Sequence, residues 1–127
     1  LLALKQNQSA VEDSLVVCKF AGWGLGFDFQ ARFLTSITGI EYSVADLVHI
    51  GERIYNLERL FNNREGFGKK DDTLPIRFIN TPLTEGYSKD MLVPIENMLK
   101  EYYKVRGWND NGVPTEDTLK KLGIKAL

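Results

Sequence analysis

Residues 43–61 read Ser-Val-Ala-Asp-Leu-Val-His-Ile-Gly-Glu-Arg-Ile-Tyr-Asn-Leu-Glu-Arg-Leu-Phe and contain the strongest helical pattern in the chain. Ser43 with Asp46 three residues later resembles a capping arrangement at the start of a helix. Apolar side chains then recur at alternating intervals of three and four residues, which places them on one helical face. Burying each is worth roughly 1.5–3 kcal/mol before entropy, so we expect this face to pack on a core or another helix. The five apolar residues are Leu47, Ile50, Ile54, Leu57 and Phe61.

Shorter helices are predicted on both sides of this one. Residues 1–9 are typical of the end of a helix, and apolar residues recur at helical spacing over 28–39. Another helix is predicted after Pro94, a favourable first-turn residue, and a last short one is predicted behind Thr115 as its N-cap. Glycines supply the C-terminal stops of these last three helices. They are Gly39, Gly107 and Gly123.

The helical pattern disappears between residues 62 and 94, where Pro75, Pro82 and several glycines occur. A structureless connection of this length is uncommon inside a compact domain, and disordered tracts rarely carry so many apolar residues. We therefore predict one all-α, multihelical domain over residues 1–127, with a long irregular strap at about 62–94. The strap is expected to pack on a surface that need not belong to this chain. Its apolar residues are Leu74, Ile76, Phe78, Ile79 and Leu83.

The composition argues against several classes of partner. Sixteen basic residues nearly balance seventeen acidic ones, which does not suggest a nucleic-acid groove or a polybasic membrane surface. No apolar stretch approaches the roughly 20 residues of a membrane span. One cysteine rules out an internal disulfide framework, so we expect a cytoplasmic protein. The chain starts at Leu1 within a helical pattern, and we expect it to be a fragment of a larger protein.

Cys18 is the single cysteine and follows Asp13 by five residues in an apolar run. From composition it is either a small buried hydrophobic residue or a functional thiol. Cysteine-nucleophile catalysis is disfavoured because the single histidine, His49, lies in the predicted long helix with nothing to orient it. A [4Fe-4S] cluster or a zinc site needs four ligands, which this chain cannot supply alone. Asp13 is either a helix-end carboxylate or the acceptor for a ligand with paired N–H donors.

Glycines alternate at Gly22, Gly24 and Gly26 and predict a turn. Their spacing lacks the third glycine of a dinucleotide-binding loop, and no repeated βαβ pattern follows. The mixed charges over residues 64–72 indicate a solvated loop. Aromatic side chains near the glycines and the C-terminus are interpreted as packing residues. They are Trp23, Tyr102, Tyr103 and Trp108.

Four stretches, in order along nearly the whole chain, together resemble one protein family. Residues 13–20, Asp-Ser-Leu-Val-Val-Cys-Lys-Phe, look like the second Asp-x-x-Gly-Leu-Cys segment of the tungsten-dependent aldehyde:ferredoxin oxidoreductase family. Residues 56–67, Asn-Leu-Glu-Arg-Leu-Phe-Asn-Asn-Arg-Glu-Gly-Phe, and 70–78, Lys-Asp-Asp-Thr-Leu-Pro-Ile-Arg-Phe, resemble the family's late helix and the strap after it. Residues 102–115, Tyr-Tyr-Lys-Val-Arg-Gly-Trp-Asn-Asp-Asn-Gly-Val-Pro-Thr, are similar to its C-terminus. The order of these stretches makes the match specific.

The resemblance implies the C-terminal helical domain of an enzyme that oxidises aldehydes to carboxylic acids with ferredoxin as electron acceptor. In that family tungsten, or molybdenum, lies between two pterin dithiolenes near a [4Fe-4S] cluster. Cys18 then matches the fourth cluster ligand, Asp13 the carboxylate that hydrogen-bonds a pterin, and Val17 a neighbouring backbone contact. The implied partners are the missing N-terminal and middle domains of the same polypeptide, ferredoxin, and a second copy in a homodimer.

Two departures from the family pattern limit what can be carried over. Val16 stands where the motif often has glycine, so either the backbone there does not need glycine's freedom or the pterin sits differently. The family's C-x-x-C-x-x-x-C ligand set is absent from the sequence. We therefore expect the isolated chain to bind no cofactor and to be inactive. The alternatives are a cofactor-free helical interaction module from the same family, or a member acting on a non-aldehyde substrate.

Overall fold

Seven α-helices occur within residues 1–125, which the computed structural model describes, and no β-strand is found in that range. The all-α class predicted from the sequence is confirmed. No helix among these residues has the length and hydropathy needed to cross a membrane. In chain order the helices are α1 (Leu2–Ser14), α2 (Lys19–Gly24), α3 (Phe27–Thr38), α4 (Val44–Arg64), α5 (Ile76–Asn80), α6 (Ile95–Arg106) and α7 (Glu116–Lys121).

The predicted helix boundaries hold where local chemistry sets them. The Ser43 hydroxyl accepts a hydrogen bond from the Asp46 backbone N–H at 3.2 Å, and the Asp46 carboxylate accepts one from the Ser43 N–H at 2.8 Å. This reciprocal pair is the capping box that begins α4. Gly39 and Gly107 end α3 and α6 with φ angles of 72° and 66°, a left-handed conformation that glycine adopts readily.

Two local predictions are wrong. Helix α1 continues to Ser14, five residues beyond the predicted end. Gly22 and Gly24 lie inside α2 rather than in a turn. A Cβ atom at Gly22 would lie 2.6 Å from the carboxyl carbon of Glu12, so this glycine permits close packing of α2 on α1.

One apolar core cluster lies where α1 and α3 pack on the first half of α4, separate from a second one near the C-terminus at Leu119, Leu122 and Ile124. Val11, Ala31 and Leu47 are the buried members of the first cluster. The predicted apolar stripe of α4 is buried at Leu47 but reaches the surface at Phe61, which is 51% exposed. The prediction that the whole stripe packs inward is therefore wrong for its C-terminal end, within the described part of the chain.

Polar side chains replace the stripe on the buried face of the second half of α4. Asn56 accepts a hydrogen bond from the Trp108 indole at 2.8 Å, and the Arg59 guanidinium lies 4.6 Å from the Trp108 ring centre. Arg59 also donates to the Asp72 carboxylate at 2.8 Å, and the Tyr103 hydroxyl donates to the same group. Burial opposes ionisation of Asp72, but these hydrogen bonds outweigh it and hold the pKa of the carboxyl below its ordinary value. The prediction that Asp72 belongs to a solvated loop is therefore wrong.

A second buried polar cluster joins α6 to α1. The guanidinium of Arg106 donates to the Asn7 side-chain oxygen at 2.6 Å, to the Gln6 side-chain oxygen at 2.7 Å and to the Ala3 carbonyl at 3.1 Å. It also lies 4.1 Å from the ring centre of Tyr55. Nothing in the sequence pattern indicated this arginine, because its partners lie about a hundred residues away.

Residues 62–64 of the predicted strap belong to α4, which ends at Arg64, and the remainder of the strap contains one short helix, α5, and a 3-10 turn at Lys69–Asp71. The rest is irregular, as predicted. The Val93 N–H donates a 3.1 Å hydrogen bond to the Phe78 carbonyl, which joins the end of the strap to its middle. The side chains of Ile76, Phe78 and Leu83 remain exposed. Packing of the strap on a surface outside this chain stays a prediction.

Candidate functional site

The three predicted site residues lie where α1 ends and α2 begins. Asp13 belongs to the last turn of α1, Val17 lies in the connection, and Cys18 is the N-cap residue of α2. The carboxylate of Asp13 and the thiol of Cys18 are both exposed. The interpretation of Cys18 as a small buried hydrophobic residue is therefore wrong.

The connection between α1 and α2 is a Schellman-type helix end. The Val16 N–H donates to the Asp13 carbonyl at 3.1 Å, and the Val17 N–H donates to the Glu12 carbonyl at 3.0 Å. This pattern places the first residue beyond the cap in the left-handed region, and Val16 indeed has a φ of 57°. The backbone therefore adopts the conformation that glycine favours, so the first of the two alternatives, that it does not need glycine's freedom here, is wrong, and the second, that a pterin sits differently, stays a prediction.

Replacing Val16 with glycine is expected to stabilise the protein by about 0.5–1 kcal/mol. A β-branched residue in the left-handed region costs roughly 1–2 kcal/mol, and the greater freedom of glycine in the unfolded chain offsets part of that gain. Val16 is 91% exposed, so little packing is lost. Thermal unfolding measures the change, with Val105→Gly as the matched control. That exposed valine lies within α6, so its replacement should destabilise the protein by roughly 0.3–0.5 kcal/mol, the difference in helix propensity between valine and glycine.

Three charged side chains, one from α2 and two from α1, lie close together at this helix end. The Lys19 ammonium is 2.8 Å from Asp13 Oδ1 and 3.7 Å from Glu12 Oε2. The hydrogen bond to Asp13 is the main cause of a raised pKa at Lys19. Glu12 itself is fully buried, and its Oε1 accepts from Gln8 at 2.9 Å and from Gln30 at 3.3 Å. Burial of Glu12 was not predicted. In the sequence Glu12 and Asp13 are two adjacent acidic residues, and nothing in that pattern indicates that one is buried and the other exposed.

Exposed apolar side chains follow Cys18 on α2. Phe20 and Trp23 on α2 are 75% and 69% exposed and stack edge to face with ring centres 5.1 Å apart. Phe33 and Ile37 on α3 are also exposed. Apolar patches of this kind mark places where a protein or a ligand binds.

Within residues 1–125, no three side chains of histidine, cysteine, aspartate or glutamate are grouped closely enough to bind a metal ion. Cys18 can therefore contribute one ligand to a metal group but cannot complete a site with its described neighbours. His49 is exposed on α4, away from this connection in sequence. The segment exposes a carboxylate and a thiol at the protein surface.

Comparisons with known proteins relate nearly the whole chain to one family. The family model described as "Aldehyde ferredoxin oxidoreductase, domains 2 & 3" matches residues 1–124. The tungsten-containing aldehyde ferredoxin oxidoreductases of Pyrococcus horikoshii and Pyrococcus furiosus are each 42% identical to this chain over 98% of the chain's length. The chain spans 21% of the length of these two relatives.

Two further similar proteins have names that refer to other substrates. The aliphatic sulfonate oxidoreductase, WOR-like subunit, of Pyrococcus furiosus is 32% identical over 91% of this chain, which spans 20% of that protein. The active site complex BamBC of benzoyl coenzyme A reductase, in complex with 1,5-dienoyl-CoA, is similar in structure with a TM-score of 0.77 and 27% identity. That match covers 96% of this chain and 18% of the other.

Proposed function

Because the chain belongs to the aldehyde ferredoxin oxidoreductase family, we propose that it forms part of an enzyme that oxidises aldehydes to carboxylic acids and passes the electrons to ferredoxin. It spans only 21% of its relatives, which implies that other domains of the same polypeptide accompany it. Those domains would cover the exposed apolar residues of α2 and α3. Ferredoxin as acceptor, a homodimeric assembly and a cytoplasmic location are further parts of the proposal.

The observation that carries this proposal is the Asp13–Cys18 connection, where a carboxylate and a thiol are both exposed after a hydrogen-bonded helix end. Cys18 would supply one thiolate to a [4Fe-4S] cluster, with three ligands coming from elsewhere in the polypeptide. Phe20 and Trp23 follow Cys18 on the same helix and are exposed, and once covered by another domain they would help to exclude water from the thiolate. A thiol buried in the core could not serve in this way.

Asp13 and Val17 would contact a pterin on the same side. Asp13 Oδ1 already accepts from Lys19, so its Oδ2 is the oxygen best placed to accept an N–H from a ligand. The Val17 N–H is bonded to the Glu12 carbonyl, which leaves the Val17 carbonyl as its polar contact. When bound, a tungsten or molybdenum bis-pterin would supply the two-electron oxidation of the aldehyde, and a cluster held in part by Cys18 would accept the electrons.

The test is Cys18→Ala in the full-length enzyme. We expect its iron content to fall by about tenfold or more and aldehyde-dependent dye reduction to fall by more than about 100-fold, because the cluster loses a ligand that no described neighbour replaces. Iron analysis and electron paramagnetic resonance measure the cluster directly. Ala21→Ser, an exposed change on the same helix, should leave both unchanged. A Cys18→Ala enzyme with a complete cluster and normal activity would refute the assignment.

A non-aldehyde substrate is the second candidate. It is favoured by the two similar proteins whose names refer to an aliphatic sulfonate and to benzoyl coenzyme A. Turnover of the full-length enzyme with aldehydes, aliphatic sulfonates and aromatic acyl thioesters of coenzyme A distinguishes the two candidates. Absence of iron and of tungsten or molybdenum from the full-length protein would instead favour a cofactor-free interaction module.

A further inference from the structure

Lys19 directly follows Cys18, and its side chain folds back onto the end of α1. Its ammonium lies 2.8 Å from Asp13 Oδ1, 3.4 Å from the Ser9 carbonyl oxygen and 3.7 Å from Glu12 Oε2. The carboxyl end of a helix carries partial negative charge, which favours a cation and disfavours a carboxylate. Asp13 and Glu12 both lie in that last turn, so Lys19 offsets three sources of negative charge at once.

The buried carboxylate of Glu12 also restrains the ammonium group of Lys19. The side chain of Glu12 is fully buried, and within residues 1–125 its Oε2 has no hydrogen-bond donor. A buried carboxylate is costly unless it is paired, so the ammonium near Oε2 is favoured to remain between the two acids. Gly22 packs against the same carboxyl group, and any larger residue at position 22 would collide with that group. The position of Lys19 is therefore determined by buried as well as exposed groups.

The consequence reaches the exposed face of the turn. The side chain of Asp13 is 69% exposed, so only the bond from Lys19 to Oδ1 restrains its orientation among the described contacts. Without that bond, the dipole of α1 would repel the carboxylate toward solvent. With the bond, Oδ2 remains available for a ligand.

We propose that Lys19 is a positioning residue for the pterin, holding the Asp13 carboxylate by one oxygen so that the other is presented beside the Cys18 thiol. This inference rests on the proposed function, because it requires a pterin at Asp13. Lys19 contacts neither substrate nor cofactor in this role. It acts through Asp13, and that dependence is what an experiment can isolate.

The experiment uses the full-length enzyme in a Glu12→Gln background, where no buried carboxylate depends on Lys19 for folding. Adding Lys19→Met should lower the pterin retained per folded polypeptide by about tenfold, as loss of an outer-shell partner does at other cofactor sites. Pterin is measured by its fluorescence after oxidation. The midpoint potential of the cluster, followed by electron paramagnetic resonance, should also fall because a positive charge beside Cys18 is removed. Lys19→Arg should restore both properties.

Adding Asp13→Asn to the same Glu12→Gln background supplies the second test, because no buried carboxylate then depends on Lys19 in either arm. There Lys19→Met should cause no further loss of pterin, because the group through which it acts is already changed. Lys5→Met is the matched control on α1, since Lys5 is exposed and bonds only to Gln8, at 3.0 Å, among the described side chains. The inference is overturned if Lys19→Met leaves pterin unchanged in the first background or lowers it further in the second. Absence of pterin and cluster from the unaltered enzyme would instead overturn the proposed function.

Discussion

Arg106→Ala is expected to lower the free energy of unfolding by about 3–5 kcal/mol, enough to unfold much of a marginally stable domain. The guanidinium is 2% exposed and donates to the side chains of Asn7 and Gln6 and to the Ala3 carbonyl. Its loss would leave the buried side-chain oxygen of Asn7 without its described donor and would open a cavity beside Tyr55, whose ring it covers. The contact between α6 and α1 would then lose its central link.

Urea unfolding followed by circular dichroism measures this change. Arg53→Ala is the matched control, because Arg53 is exposed on α4 and its replacement should alter stability by no more than about 0.5 kcal/mol. Arg106→Lys should recover only part of the stability, since an ammonium cannot reproduce the planar fork of the guanidinium. Equal stability of Arg106→Ala and Arg53→Ala would show that the buried cluster contributes little.

Gly51→Ala is expected to destabilise the protein by about 3 kcal/mol, at the upper end of the cost of overpacking. A Cβ atom at this position would lie 2.9 Å from the Asn7 Cα atom and would overlap the Asn7 carbonyl group. These are backbone atoms, so the clash is relieved only if α1 and α4 move apart. That movement would loosen the core around Val11 and Leu47.

Thermal unfolding of Gly51→Ala should be compared with that of Gly24→Ala. Gly24 lies in α2 with no neighbouring atom within 4 Å of the place that a Cβ atom would occupy, so alanine there should be neutral or stabilising by up to about 1 kcal/mol. Asn7 links both large effects, because its carbonyl faces Gly51 and its side chain accepts from Arg106. The double variant should therefore lose less stability than the sum of the two single variants. Strict additivity would mean that the two contacts are independent.

Features that depend on neighbouring residues were predictable. The capping box at Ser43, the glycine end at Gly39 and the cap at Thr115 all follow from hydrogen bonds within three or four residues. The irregular strap was likewise indicated by its prolines and lack of period. In contrast, Gly22 was misread as a turn, because a sequence does not distinguish a glycine needed for its backbone freedom from one needed for close packing.

The candidate site shows the same division. Asp13 and Cys18 were singled out by resemblance to a family, and their exposure could not be inferred from an apolar run that equally suits a core. The left-handed conformation of Val16 depends on where and how α1 ends. The sequence pattern predicted that end five residues too early. Glu12 and Lys19 were not predicted, because their roles arise from the folding of α2 back onto α1.

Local patterns along the chain were thus sufficient for the helical class, most helix ends and the membership of a family. Those properties depend on spacing and on hydrogen bonds between residues close in sequence. Only the packed structure decided which face of each helix is buried, which charges lie inside and which groups the Asp13–Cys18 connection exposes. The reason is physical: burial and pairing depend on distant partners, as Arg106 and Asn7 show, and no local pattern contains them.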